Sequence, residues 1–570
     1  MSNDIEILGK NLLILASAGS GKTYQLGNRV VGLVGARNVE PERIVALTFT
    51  RKAAGEFADS VLSKLGEAAL DEAKAHALES AVGERLDVGA TLERVVRALP
   101  RFQLGTMDSF FARVVRGFQY ELGLTGGKFE LVQGPKLEAA LADILAGILG
   151  NALEHGEADE FLHAFKRATV GREERGVTEP LGRFFRTWHG LWKDGASRLV
   201  APSFGELPAV AAWEEQKRGL AARLRRAAEG IAWTDKRQPA AFEKLVSALE
   251  EHTVGSGSLA KAGSMFKLLA EWSAGGGPLV MKLYRVFEHG PVMEEALGET
   301  MRLLAGCEVS AAIERSSAVL ELVARYDREC ERRLRRRGML GFDDVKGLMG
   351  EWVTGEEARL RREAVDFRLD ARYDHWLLDE FQDTSRAEWR GMAPLLDEAA
   401  SDPEGSLFVV GDVKQAIYGW RGGDVRLFGE VERRYQGELA VRAMPESWRS
   451  CAAVLELVNR VCGDRRTIAA LYGEAVADRW PWEEHVAARK GLTGESRVEV
   501  VPGKAAERHD RMVGLMRELG IGERELSCGV LVRTNQQLAA VAERLREEGF
   551  DVVEEGVRRP TEDNPVGLAL

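Results

Sequence analysis

Between Leu12 and Thr23 the chain reads LLILASAGSGKT, an apolar run that passes directly into small residues and a closing Gly-Lys-Thr. Those types in that order suit a phosphate-binding loop. Gly19 and Gly21 let the backbone approach a polyphosphate, and the N–H groups from Ala16 through Ser17, Ala18 and Ser20 face its oxygens. Lys22 reaches the β and γ phosphates, and Thr23 ligates Mg²⁺. The strict pattern has Gly where this chain has Ala16. A second chemistry-bearing stretch, HWLLDEF from His375 to Phe381, ends in Asp379 and Glu380. Nucleotide hydrolysis needs such a pair: one carboxylate to hold Mg²⁺, the next to orient and deprotonate the attacking water. A solvated strand end would present the same two residues, and it is the phosphate loop in the same chain that favours chemistry.

These residues need elements to hold them. The apolar run before the loop is a buried strand, and Tyr24 to Val34 is helix-capable, which supplies the strand-loop-helix context the loop requires. Ile44 to Thr50 (IVALTFT) reads as a second strand and Arg51 to Leu65 as its helix, so a parallel sheet is expected. Asp71 to Leu99, rich in Ala, Glu and Leu, reads as helix. From about Phe129 to Leu340 the pattern is almost wholly helical, with breaks at Gly255 to Ser258 and Gly275 to Pro278, and is read as an insertion into the first domain. Strand character returns at His375 and at Leu407 to Asp412 (LFVVGD). Ligands bind beyond the carboxyl ends of the strands in an open parallel sheet, so these four strands, all ending in polar groups, are candidates to build one site. A further unit is expected near Glu438, opening with LAVRAM, then a helix from Cys451 to Cys462. Strand-like Arg497 to Val501 and Gly529 to Val532 and a helix from Gln537 to Glu547 complete the pattern of a second α/β domain.

With 570 residues, 45% hydrophobic and 29% charged, the chain has the composition of a multi-domain globular protein. No apolar run approaches membrane-span length, and MSNDIEILGK does not resemble a targeting peptide, so a cytoplasmic address is expected. Five widely spaced cysteines (Cys307, Cys330, Cys451, Cys462, Cys528) indicate neither a disulfide framework nor a CxxC metal site. A net charge of −11 disfavours a coat of nucleic acid but allows a local basic groove.

Six stretches, ASAGSGKT, ALTFTRKAAGEF, GTMDSFF, LLDEFQDTS, GDVKQAIYGWRGGD and ESWRS, occur in the order of the motifs of UvrD/Rep-type superfamily 1A DNA helicases, and the pattern most resembles the AddA/RecB branch. That resemblance implies ATP as the nucleotide and RecA-like P-loop α/β motor domains with parallel sheets and a large helical insertion. The expected boundaries are 1–128 and 341–436 for the two parts of the first motor domain, 129–340 for the insertion and 437–570 for an incomplete second motor domain. By the same resemblance Gln415 senses the γ-phosphate, and Tyr418, Trp420 and Arg421 grip bases of single-stranded DNA. Stacking of that kind contributes roughly 1 to 3 kcal/mol per base and tolerates any sequence. Thr48, Thr50, Arg51 and Lys52 correspond to the family's DNA-backbone motif, although a helix start uses the same residue types for capping. Thr106, Ser109 and Phe110 are further DNA candidates. Arg449 corresponds to the γ-phosphate arginine and Trp448 to the aromatic beside adenine. The activity implied is 3′ to 5′ translocation on single-stranded DNA with unwinding at duplex junctions, in repair or recombination, beside a partner protein of the AddB or RecC type.

The chain departs from the family in several places. Asp108 stands where the family has His, and a carboxylate is a poor phosphate contact. No adenine-recognising Gln precedes the loop, and the family's last two motifs and the nuclease motifs are missing, Lys490 to Leu492 spelling KGL by coincidence. The chain is therefore expected to be either a short natural product or part of a longer protein, and a truncated ATP- and DNA-binding module is the alternative reading. Two basic stretches carry structural readings. Phe184, Trp188, Leu191 and Trp192 in RFFRTWHGLWK fall at helical spacing, as a core-facing stripe would. RRLRRR, Arg332 to Arg337, ends a helix at Gly338, where the dipole favours cations.

Overall fold

The computed structural model describes residues 6–119, 129–154, 178–193, 206–256, 282–351, 373–419, 422–480, 482–524 and 526–555, with isolated positions between some of these. The chain divides into two compact units, residues 1–449 with 479–488, and residues 450–478 with 489–570.

The first unit is built on six strands: β1 (Asn11–Ala16), β2 (Ile44–Thr48), β3 (Gln103–Thr106), β4 (His375–Leu378), β5 (Ser406–Gly411) and β6 (Leu439–Met444). They form one parallel sheet in the order β6-β1-β5-β4-β2-β3. Every residue of β2, β4 and β5 is buried, because a parallel sheet is covered on both faces. Alternate side chains serve the two layers. Leu12, Ile14, Ala46, Leu377 and Phe408 meet α1 (Lys22–Gly35), α2 (Arg51–Leu70), α3 (Glu72–Val82) and α4 (Val88–Ala98). Leu13, Leu47, Leu378 and Val409 pack with α5 (Met107–Gly117) on the other face. The expected single helix from Asp71 to Leu99 is two helices, because Gly83 takes a left-handed conformation (φ 84°) and ends α3.

Residues 129–340 are mainly helical where described, with short strand pairs at Glu130–Leu131 with Met339–Leu340 and at Lys282–Leu283 with Arg285–Val286. α6 (Gly134–Glu154), α7 (Thr178–Lys193), α8 (Ala211–Ala228) and α9 (Gln238–Glu251) are followed by the 43-residue α10 (Pro291–Arg333). The two ends of the segment meet, as Glu130–Leu131 pairs with Met339–Leu340. α11 (Phe342–Glu351) and α12 (Arg386–Ser401) then return to the β2–β4 face. The break at Gly275 to Pro278 lies outside the described residues. In α7 the buried stripe is Phe185 and His189, the former stacked on Tyr326 at 4.7 Å and the latter paired with Asp327 at 2.8 Å. Trp188 and Leu191, expected in the core, are exposed, because α10 meets the helix one position further round. Arg335, in the basic run, pairs with Asp327 and Glu331 in the insertion and with Asp344 just beyond it, so its charge is compensated within the protein.

LAVRAM does not open a new sheet. It forms β6, the edge strand beside β1, with Leu439 to Met444 in register with Asn11 to Ala16. Apolar alternation marks a strand but not the sheet it joins. The second unit holds α13 (Ala452–Cys462), α14 (Arg465–Tyr472), α15 (Ala505–Glu518) and α16 (Asn535–Glu547), with a small core of Val513, Met516, Val541 and Leu545. Residues 497–501 and 529–532, expected as strands, form no regular element, and Val498, Val500 and Leu531 are exposed. A strand exists only with a hydrogen-bonded neighbour, and among the described residues these segments have none.

Candidate active site

Residues 17–21 link the end of β1 to the first turn of α1. Gly19 (φ 75°) and Gly21 (φ 92°) both adopt the left-handed region that favours glycine. α1 has no side-chain cap at its N-terminus, so its first N–H groups are free for an anion. Lys22 Nζ lies 2.7 Å from Glu380 Oε2 and its side chain is 12% exposed.

Glu380 follows β4 and is one of three non-glycine residues with positive φ (48°) among the described residues. Strain of this kind persists only where the surroundings hold it, here the Lys22 ammonium and the Gln382 amide, whose Nε2 donates to Glu380 Oε2 at 2.6 Å. Gln382 Oε1 in turn accepts from the Asp412 N–H at 3.0 Å, and Asp412 Oδ2 accepts from Gln415 Nε2 at 2.7 Å. The ends of β1, β4 and β5 are thereby joined by one polar chain, Lys22–Glu380–Gln382–Asp412–Gln415. Gln382 and Asp412 were not singled out from the sequence, although DEFQDT and GDVKQ contain them. Gly411 is required here, since a Cβ would sit 2.7 Å from Gln382 Oε1.

Asp379 is 6% exposed and accepts a hydrogen bond from the Glu380 N–H at 2.9 Å. Burial first, then the neighbouring Glu380 charge, pushes its carboxyl up to about 7, with Lys22 opposing. The buried Asp379 carboxyl and the exposed Thr23 hydroxyl are hard oxygen donors of the kind that Mg²⁺ takes beside phosphate oxygens.

β6 brings the chain back to the loop. The Ser17 N–H donates to Met444 O at 3.2 Å and the Trp448 N–H to Gly19 O at 2.8 Å. A Cβ on Gly19 would lie 2.6 Å from Arg449 Cβ. Trp448 is 55% exposed beside the loop, and Arg449 is exposed next to it.

The DNA candidates divide. Thr50, Arg51 and Lys52 are exposed at the start of α2, and Thr50 Oγ1 caps that helix by accepting from Ala53 N–H at 3.1 Å. Thr48 is buried, and its hydroxyl donates to Thr50 O at 3.0 Å. Thr106 is the buried N-cap of α5, accepting from the Ser109 N–H, while the Ser109 hydroxyl donates to Thr106 O at 2.7 Å. Phe110 is 3% exposed and packs edge-on against Phe111, Tyr373 and Trp376. Of the expected DNA contacts, the Thr48, Thr106 and Phe110 side chains thus sit in a turn, a helix cap and the core. Tyr418 is half-buried and rests on Phe49, with ring centroids 4.7 Å apart. Trp420 and Arg421 lie outside the described residues.

A parallel sheet with a phosphate loop after β1 and an acidic pair after β4, interrupted by a helical insertion, defines a RecA-like P-loop α/β protein. The chain belongs to the UvrD/REP helicase family, whose N-terminal domain it matches over residues 2–436. It is also similar to the larger AddA-type proteins named as components of ATP-dependent helicase/nucleases. The one from Geobacillus thermodenitrificans is 24% identical over 530 residues, 82% of this chain and 39% of that protein. The one from Lactobacillus delbrueckii subsp. bulgaricus is 25% identical over 507 residues, 80% of this chain and 39% of its own length. The chain thus spans about two fifths of the length of the curated relatives it matches.

Proposed function

We propose that this chain carries the ATP-hydrolysing motor of a DNA helicase, moving 3′ to 5′ on single-stranded DNA in repair or recombination. The observation that supports it is the polar chain from Lys22 through Glu380, Gln382 and Asp412 to Gln415, with Arg449 beside the loop at Gly19. Lys22 and the loop N–H groups would hold the triphosphate, and Thr23 and Asp379 the Mg²⁺, which supplies charge neutralisation at the phosphates. ATP would draw Lys22 toward its phosphates and release Glu380 to orient the attacking water. Gln415 would face the γ-phosphate, and Arg449 would neutralise charge that develops on it. Trp448 would stack on adenine, while Thr50, Arg51, Lys52 and Tyr418, with Trp420 and Arg421, would contact the strand. The relatives are named as a subunit of an ATP-dependent helicase/nuclease, which supports work beside a second protein of the AddB or RecC type; the same reading puts the chain in the cytoplasm. Among the described residues no helix is long and apolar enough to cross a membrane.

The test is steady-state ATP hydrolysis with and without single-stranded DNA, beside Lys22→Ala. DNA-stimulated turnover that falls by about 10² or more in the variant is expected, since the lost cation acts on the transferring phosphoryl group. Full turnover in Lys22→Ala sinks the assignment. Nucleotide binding without turnover in the unaltered chain would favour the module that holds ATP and DNA without completing the cycle.

A further inference from the structure

Asp108 opens α5 where a DNA-facing motif is expected, yet it bears the wrong charge for phosphate. The structure gives it a partner. Lys346, on α11, places Nζ 3.3 Å from Asp108 Oδ1 and 2.9 Å from Glu388 Oε1. The Glu388 side chain is 5% exposed and completes the capping box that starts α12, accepting from the N–H and hydroxyl of Ser385 at 2.7 Å each. Burial would lower the Lys346 ammonium, but Glu388 and Asp108 outweigh it and raise its pKa, so it stays charged. Lys346 thus ties the first turn of α5 to the first turn of α12, and α12 begins directly after the hydrolytic segment Asp379 to Thr384.

A hollow of about 20 Å³, the size of a water molecule, adjoins this ammonium and is lined by Phe49, Met107, Asp108, Lys346, Asp383 and Glu388. Asp383 is 6% exposed, and its Oδ1 makes no hydrogen bond. Its other oxygen accepts from Gln382 Nε2 at 3.5 Å, the same amide that holds Glu380. On the far side, Phe49 carries the ring of Tyr418. Beyond Lys346 opens a cavity of about 1090 Å³ that reaches Ser385, Arg386 and the backbone at Gly419 and Gly422. One ammonium therefore pairs with the starts of α5 and α12 and lines both the larger cavity and the hollow beside Asp383.

We propose that Lys346 is a positioning residue that couples DNA occupancy to ATP hydrolysis. It rests on the function proposed above. Without the ammonium, Asp108 and Glu388 lose a cation that both face, and α5 is no longer tied through it to the start of α12. The residue is none of those assigned above to the phosphates, the Mg²⁺ or the attacking water, so its loss acts on communication and leaves those chemical groups in place.

The experiment is steady-state ATP hydrolysis by the full chain over a titration of oligo(dT), comparing Lys346→Met, Lys346→Arg and the triple variant Asp108→Asn, Lys346→Met, Glu388→Gln. Lys346→Met is expected to keep DNA-free kcat and KM for ATP within about twofold and to lose about tenfold in the DNA-stimulated rate at saturating oligonucleotide, a coupling loss typical of a bridging residue. Lys346→Arg is expected to restore most of the stimulation. The triple variant removes both carboxylate charges together with the ammonium, so it is expected to melt near the unaltered chain and still lack stimulation, which provides the readout should Lys346→Met fold poorly. Full stimulation in the triple variant, or loss of basal and stimulated rates in equal proportion, overturns the coupling role while Lys22→Ala still tests the motor. Absence of any DNA stimulation in the unaltered chain overturns both.

Discussion

Alanine at Gly19 and alanine at Gly21 impose the same backbone penalty but meet different surroundings. Both glycines have positive φ, 75° and 92°, so each substitution costs about 1 kcal/mol of strain. At Gly21 the new methyl finds Tyr24 Cβ at 3.6 Å, an ordinary contact. At Gly19 it would sit 2.6 Å from Arg449 Cβ and 2.7 Å from Ser447 Oγ. Carbon atoms pack no closer than about 3.5 Å, so the 447–449 segment must retreat by about 1 Å. That retreat strains the Trp448 N–H to Gly19 O hydrogen bond, worth about 1 kcal/mol net. Gly19→Ala is then expected to lose roughly 2–3 kcal/mol against about 1 for Gly21→Ala. At roughly 2–4 °C per kcal/mol, the nucleotide-free melting temperatures should differ by about 2–8 °C. Differential scanning fluorimetry without nucleotide measures this cleanly, because phosphate contacts do not enter. Equal melting temperatures for the two variants would mean that the Arg449 segment does not rest on the loop. A displacement of about 1 Å at Arg449 should also lower kcat in Gly19→Ala by up to roughly 10²-fold.

Two further outcomes follow from buried charges in the first unit. Lys64 Nζ sits 3.5 Å from the centroid of the Tyr24 ring and donates to Tyr24 O and Asn28 Oδ1, and burial lowers its pKa from 10.5 to about 7. Between those values the unfolded chain binds the extra proton, so this group's contribution to stability rises with pH from 7 to 10.5. Urea melts of the unaltered chain and Lys64→Met should show their difference moving in favour of the unaltered chain by about 3 kcal/mol from pH 7 to pH 10; a flat difference refutes it. In the insertion, Asp327 is held down to about 2: burial opposes this, and the His189 hydrogen bond and the Arg335 charge outweigh it. Its contribution is present above its unfolded value near 3.8 and is lost as pH falls through about 2. Arg335→Met should cost about 2 kcal/mol at pH 7, discounted for partial exposure, and the penalty should shrink below pH 4. An unchanged melting midpoint at pH 7 would place the Arg335 network among surface pairs that add nothing.

What the sequence disclosed and what it hid follow from how far each signal reaches along the chain. β1, the loop and α1 were legible because strand, glycines and lysine lie within a few residues of one another, and the left-handed Gly19 and Gly21 are local requirements. The pairing of Lys22 with Glu380 spans 358 residues, and only the order of the motifs pointed to it. Phe110 shows the limit of residue type as a guide. An aromatic beside Thr and Ser can stack on a base or fill a core, and which it does depends on whether Tyr373 and Trp376 stand behind it. LAVRAM had the right periodicity for a strand, but its neighbour, β1, lies more than 400 residues earlier. Asp108 makes the same point from electrostatics. Taken alone it disqualified its position for phosphate; taken with Lys346 and Glu388 it is one corner of a compensated cluster on a cavity wall. The charge that decides the character of that wall is the sum over three helices, and a chain read residue by residue supplies its terms without their sum.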